Sequence, residues 1–317
     1  MSAESGTKAV LAALLANLSI AVAKFAAFAV TGSSSMAAEG VHSLADSGNQ
    51  VLLLVGGKRA RRTATTSHPF GYGRARYVYA FIVSIVLFTL GGLFALYEGW
   101  HKFTHAEELK SLQWAIGVLL FAIVAEGFSL RTAVGESNRV RGKSSWVRFV
   151  RRSKSPELPV VLLEDAGALI GLVFALIGVS AAAITGNSRW DGLGSMAIGL
   201  LLVAIAVFLA IEMSSLLMGE AALPEHVAAI QKALVADEAI NRAIHLRTLH
   251  LGPDEILVAA KVGVSPEASA QTIIEAIDAA EARIRAAVPL RCVIYLEPDL
   301  YDMRNTATAE RAPSPDA

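Results

Sequence analysis

The sequence predicts an α-helical membrane protein, with six transmembrane helices and a C-terminal cytoplasmic α+β domain of order αββαβ. Three observations predict it. Hydrophobic residues make up 54% of the 317-residue chain and charged residues 18%, against about 45–50% and about 25% in soluble domains. The apolar residues fall into six long stretches, and a bilayer takes roughly 20 such residues per helix. Lys and Arg concentrate in alternate loops although the net charge is zero.

The spans are placed near 8–31, 34–57, 77–100, 113–133, 158–184 and 192–218. In lipid a segment must satisfy its own backbone polar groups, so each span is a helix. The first has no basic n-region and turns through Thr31-Gly32-Ser33 into the second, so it does not read as a cleaved signal peptide. The loop between spans two and three carries Lys58, Arg59, Arg61, Arg62, Arg74 and Arg76. The loop between four and five carries Arg139, Arg141, Lys143, Arg148, Arg151, Arg152 and Lys154. The remaining loops hold only Lys102, Lys110 and Arg189. Basic loops face the cytoplasm, which puts both termini there. They also stand where anionic lipid headgroups lie.

After the sixth span the composition changes, so the membrane domain is assigned to 1–220 and the cytoplasmic domain to 221–302. Pro224 opens a first helix. Ala243 to Leu251 and Ile256 to Val264 read as strands about a Gly252-Pro253-Asp254 turn. Ala268 to Val288 has helical period and is closed by Pro289, and Arg291 to Leu296 is a third strand. Residues 303–317 are Thr, Ala, Pro and charge, the composition of a disordered tail. Zero net charge argues against a nucleic-acid binder. A lone Cys292 excludes an intramolecular disulfide and a cysteine zinc cluster.

The informative residues are the ionisable ones at membrane depth, which cost a few kcal/mol each and point to function. In span two, His42 and Asp46 are four apart and share a helix face, extended by Glu39 and Asn49. Imidazole plus carboxylate at this spacing is half of a divalent transition-metal site. In span five, Glu164 and Asp165 are adjacent carboxylates in an apolar run. They point about 100° apart, so one of them is expected to complete the site. Lys24 in span one calls for a carboxylate partner such as Glu126 in span four. Glu98 and Glu212 read as ion-pair or water-facing residues.

These residues resemble the cation diffusion facilitators, the family of the zinc transporters, over nearly the whole chain. His42-Ser43-Leu44-Ala45-Asp46 resembles the family's metal pair in span two. Ser67-His68-Pro69-Phe70-Gly71-Tyr72-Gly73-Arg74 resembles its signature ahead of span three, and Leu216-Leu217-Met218-Gly219-Glu220 the exit of span six. Glu39, Asn49-Gln50 and Leu163-Glu164-Asp165 resemble the branch that includes the mitochondrial zinc transporter of animals.

The resemblance implies a homodimer exchanging a divalent ion for protons, with the C-terminal domain as dimerisation domain. It also implies a four-residue cargo site, two residues each from spans two and five. Asp165 matches the second span-five ligand, while the first falls on Val161, which cannot bind metal. The expected ligands are therefore His42, Asp46 and Asp165, with Glu164, Glu39 or water as the fourth. In the cytoplasmic domain Tyr295 stands where relatives carry a histidine before Glu297-Pro298-Asp299, which leaves a poor regulatory metal site. His226, His245 and His250 remain nearby.

The functional expectation is a proton-coupled exporter of a divalent cation, zinc first, then iron, cobalt, nickel or manganese. Imidazole titrates near about 6.5, so it exchanges a proton for metal in the physiological range. The cargo ion is the expected metal, and no prosthetic group is expected. No helix motif of a metalloprotease is present, so an enzyme is not expected. The rival class is a membrane-anchored dimer that has lost transport and binds a partner through its soluble domain. The Ala- and Gly-rich composition without a presequence suggests a bacterial inner membrane.

Overall fold

A computed structural model of the protein describes residues 2–31, 34–105, 112–237 and 239–300. The turn residues 32–33, Lys110 and the tail from 301 lie outside the described residues. Two compact units form. One contains helices α1 to α8. The other contains the C-terminal elements together with Ala64–Gly73.

The membrane unit comprises α1 (Ser2–Thr31), α2 (Ser34–Ala60), α3 (Ala75–Val86), a π-helical segment (Leu87–Leu93) and α4 (Phe94–Thr104). It continues through α5 (Leu112–Arg141), a short α6 (Trp146–Arg152), α7 (Glu157–Thr185) and α8 (Arg189–Met218). Among the described residues, five stretches are long and apolar enough to cross a bilayer: Gly6–Val30, Ala75–Thr104, Gln113–Arg141, Glu157–Thr185 and Arg189–Met218. The expected second span forms a helix of 27 residues but does not qualify by composition. Glu39, His42, Asp46, Asn49 and Gln50 dilute its apolar residues. The helices' outer faces are apolar, as lipid requires: Val124, Phe128, Ile177, Leu200 and Ile211 are all exposed.

Three features depart from the sequence expectation. The third span is interrupted by the π-helical segment at Leu87–Leu93, a geometry often found near functional sites. The fourth helix runs on to Arg141, well past 133. Arg76 is not a loop residue: it is buried in α3 and paired with the buried Glu157 at the start of α7.

Helices α4 and α8 meet backbone to backbone through glycines. A Cβ on Gly99 would come within 2.6 Å of Met196 N, and one on Gly199 within 2.6 Å of Leu96 N. Small residues permit this close approach, and van der Waals contact then holds the helices in lipid.

The second unit is α9 (Pro224–Leu234), β1 (Ile240–Gly252), β2 (Glu255–Val264), α10 (Ala270–Ala287) and β3 (Arg291–Leu300). The sheet order is β1-β2-β3, with β1 antiparallel and β3 parallel to β2. The parallel pair needs a crossover, which α10 supplies. Ile256, Val258, Ala260 and Val262 alternate inward and form the core with Ile230, Leu234, Ala280 and Ile284. Leu257, Ala259, Val293 and Tyr295 take the opposite face, and Tyr295 is 58% exposed. In Ala64–Gly73, His68 stacks on Tyr72 with ring centroids 4.4 Å apart. Gly71 takes φ of 77°, a conformation that L side chains avoid. His68 is thus part of the loop's own structure.

Candidate metal-transport site

The membrane unit contains a partly open cavity of about 690 Å³. Its wall includes Lys24 of α1, Glu39, His42 and Asp46 of α2, Glu126 of α5, and Glu164 and Asp165 of α7. At the end away from the basic loops, Glu98, His101 and Lys102 of α4 and Asp191 of α8 join the wall. Polar side chains thus face one internal space while the bundle's exterior is apolar.

His42 Nε2 lies 3.6 Å from Asp46 Oδ2, as an i, i+4 pair on one face should, and both side chains keep about a quarter of their surface exposed. Asp165 is 1% exposed. Its Oδ2 accepts a 2.6 Å hydrogen bond from Ser129 Oγ of α5, while its Oδ1 is buried with no hydrogen-bond partner. The ring nitrogen and the carboxylates are neutral-to-anionic donors, suited to a divalent cation.

Glu164 also lies on the cavity wall, but its offset of about 100° from Asp165 gives it other hydrogen-bond partners. Its Oε1 accepts from Asn49 Nδ2 and its Oε2 from Gln50 Nε2, each at 2.9 Å. Gln50 in turn accepts from Asn17 Nδ2 at 3.4 Å. Both Glu164 oxygens are therefore engaged by a buried amide clamp between α1, α2 and α7. Val161 is fully buried in the apolar core, among residues such as Ala13 and Leu53, and is not part of the cavity wall.

Lys24 pairs with Glu39 at 3.6 Å and donates to Ser43 Oγ at 3.0 Å. Its ion-pair partner is thus Glu39, one turn before Ser43 on the neighbouring helix, rather than Glu126. Lys102 bridges Glu98 at 3.1 Å and Asp191 at 3.3 Å, so it belongs to the bundle rather than to a loop. Glu212 lies 4.0 Å from Arg151. Asn17 and Ser129 escaped the sequence reading. Each had a signal: Asn17 is two helical turns from Lys24, and Ser129 is i+3 from Glu126.

Among the described residues, no group of three or more His, Cys, Asp or Glu stands close enough to hold a metal ion. His42, Asp46 and Asp165 line one cavity without forming a closed ligand cluster. In the C-terminal unit, Glu297 and Asp299 lie 3.3 and 2.8 Å from Lys261. The hydrogen bond from Lys261 holds Asp299 below the ordinary aspartate range, and the same bridge raises Lys261. His250 is buried with Nδ1 3.1 Å from Gly252 O.

The cation efflux transmembrane domain family matches residues 10–218. The chain belongs to the cation efflux family. The relatives of this cation efflux protein include the proton-coupled zinc antiporter SLC30A9, mitochondrial, of Homo sapiens. It is 36% identical over 242 residues, which is 75% of this chain and 42% of the relative. Metal tolerance protein C4 of Arabidopsis thaliana is 28% identical over 80% of this chain and 56% of its own length. The manganese efflux system protein MneP of Bacillus subtilis (strain 168) is 24% identical over 79% of this chain and 81% of its own length. The chain spans less than half the length of the SLC30A9 relatives it matches. As a cation efflux family member with this helical bundle, it is a multi-pass integral membrane protein.

Proposed function

We propose that the protein moves a divalent transition-metal cation, zinc first, out of the cytoplasm in exchange for protons, working as a homodimer. The observation that carries this is the cavity within the helical bundle with His42, Asp46 and Asp165 on its wall. The family match and the name of the human relative, a proton-coupled zinc antiporter, support it. The three side chains are the cargo ligands. When the ion leaves they take up protons, since ligands must be deprotonated to bind metal. Alternating access then presents the cavity to each side in turn.

Two further parts rest on less. The sheet face bearing Tyr295, which the helices leave uncovered, supports dimerisation through the C-terminal domain. The basic loops support cytoplasmic termini and the Ala- and Gly-rich composition a bacterial inner membrane, although the SLC30A9 relatives are named as mitochondrial. Manganese is the second cargo reading, favoured by the name of the Bacillus subtilis relative and by the oxygen-rich cavity.

The test is ion uptake into vesicles holding the purified protein, across zinc, manganese, iron, cobalt and nickel, with and without a pH gradient. Uptake should require the gradient, favour zinc, and disappear in His42→Ala and Asp46→Ala. Normal uptake by both variants would overturn the site.

A further inference from the structure

The cargo site as read so far is short of one ligand. Val161 is packed in the apolar core, and Glu164 is held through both oxygens by Asn49 and Gln50. A different carboxylate is available. Glu126 of α5 is 4% exposed, lies on the wall of the same cavity, and its Oε2 is buried with no hydrogen-bond partner. Leaving a buried carboxylate oxygen unpaired is costly unless something else satisfies it.

Its placement indicates what that is. Glu126 precedes Ser129 by three residues, so the two share a face of α5. Ser129 holds Asp165 at 2.6 Å. The charged groups that act on Glu126 are Asp165, Asp46 and Lys24, and Lys24 is already engaged with Glu39 and Ser43. Glu126 therefore adds a third carboxylate to the cavity wall that carries Asp46 and Asp165, within electrostatic reach of both but not in a closed ligand cluster with them. Like charges gathered at one place repel, and a divalent cation among them reverses the sign of that interaction. Asp165 Oδ1, the other orphan oxygen of this wall, fits the same account.

We propose that Glu126 is a ligand of the transported cation, supplying from α5 the fourth donor that α7 lacks at Val161. This rests on the transport reading above. The site is then built from three helices, with one imidazole and three carboxylates. That donor set is harder than one with two histidines, so Glu126 also tilts preference towards manganese relative to zinc.

The experiment uses the purified full chain. Binding of Zn2+ and Mn2+ is followed by calorimetry at fixed pH, and Co2+ supplies a ligand-field absorption spectrum. Asp46→Asn is expected to abolish binding. Glu126→Gln is expected to weaken Zn2+ by at least about 10–100-fold, the loss caused even by removing a group that only supports a metal ligand, to weaken Mn2+ more, and to change the Co2+ spectrum. Thermal unfolding checks the fold. Should Glu126→Gln not fold, Glu126→Asp decides: the retracted carboxylate should alter the Co2+ spectrum and the Zn2+/Mn2+ ratio. Unchanged affinities and spectrum in the folded variant, with Asp46→Asn inactive, would overturn the role of Glu126 alone. Failure of the unaltered protein to bind either ion would overturn the transport reading and this proposal with it.

Discussion

Two adjacent carboxylates on α7 have different surroundings, and their substitutions should separate. Asp165 presents an unpaired buried oxygen to the cavity, so Asp165→Asn should eliminate metal binding measured by calorimetry. Glu164 accepts two amide N–H bonds. Glu164→Gln sets an NH2 group against one of those donors, and should cost about 1–3 kcal/mol of stability while Zn2+ still binds. The pattern opposite to this, with Zn2+ lost from Glu164→Gln and kept by Asp165→Asn, would move the site by one residue. Val161 sharpens the contrast. By helical register alone, Val161→His should create an i, i+4 pair with Asp165 and tighten zinc binding. In the structure Val161 is fully buried among apolar side chains, so Val161→His instead buries an unpartnered imidazole. It should lower the unfolding temperature and leave the Zn2+ affinity no tighter.

At the scale of elements, two contacts hold the bundle around the cavity. The buried Arg76–Glu157 pair joins the start of α3 to the start of α7. Truncating one member strands the other charge, so Arg76→Ala should cost about 3–5 kcal/mol, seen as a fall in unfolding temperature in detergent. An exposed basic residue such as Arg62 should show no comparable fall when replaced by alanine. The second contact is the glycine seam of α4 and α8. A Cβ at Gly99 would meet the backbone atoms Met196 N and Gly192 O, which cannot rotate away. Gly99→Val should separate the two helices, break the Lys102 bridge to Asp191, and reduce both stability and uptake.

At the scale of the whole molecule, each unit carries a separable property. The sheet face with Leu257, Val293 and Tyr295 is the proposed dimer surface. Tyr295→Glu should shift the full chain towards monomer by light scattering while the order of metal preference stays the same, because the proposed cargo ligands lie in the membrane unit. A change in preferred metal would contradict this division. The Lys261–Asp299 bridge gives a pH test. Asp299 is lowered, so its contribution is present above the ordinary aspartate range and lost only as pH falls below it. Lys261 is raised, so its contribution is lost only as pH rises past the ordinary lysine range. Neither change falls near neutrality. Lys261→Met should therefore leave the neutral-range pH profile of uptake unchanged.

The sequence by itself determined whatever depends on local pattern. Apolar length marked the long helices, because lipid demands internal hydrogen bonding. Period and turn chemistry marked the αββαβ order, and four-residue spacing put His42 and Asp46 on one face, where they lie 3.6 Å apart. Angular offset alone said that Glu164 and Asp165 face different neighbours. What the sequence left open was which neighbours, since contacts between helices far apart in the chain follow no local period. Only the tertiary structure decided that Lys24 goes to Glu39, that Asn49 and Gln50 close on Glu164, and that Ser129 holds Asp165. Of the polar residues that lower the apolar content of α2, Glu39, Asn49 and Gln50 gain partners on α1 and α7. Burial in protein satisfies them where lipid could not, and the cavity forms where those partners meet.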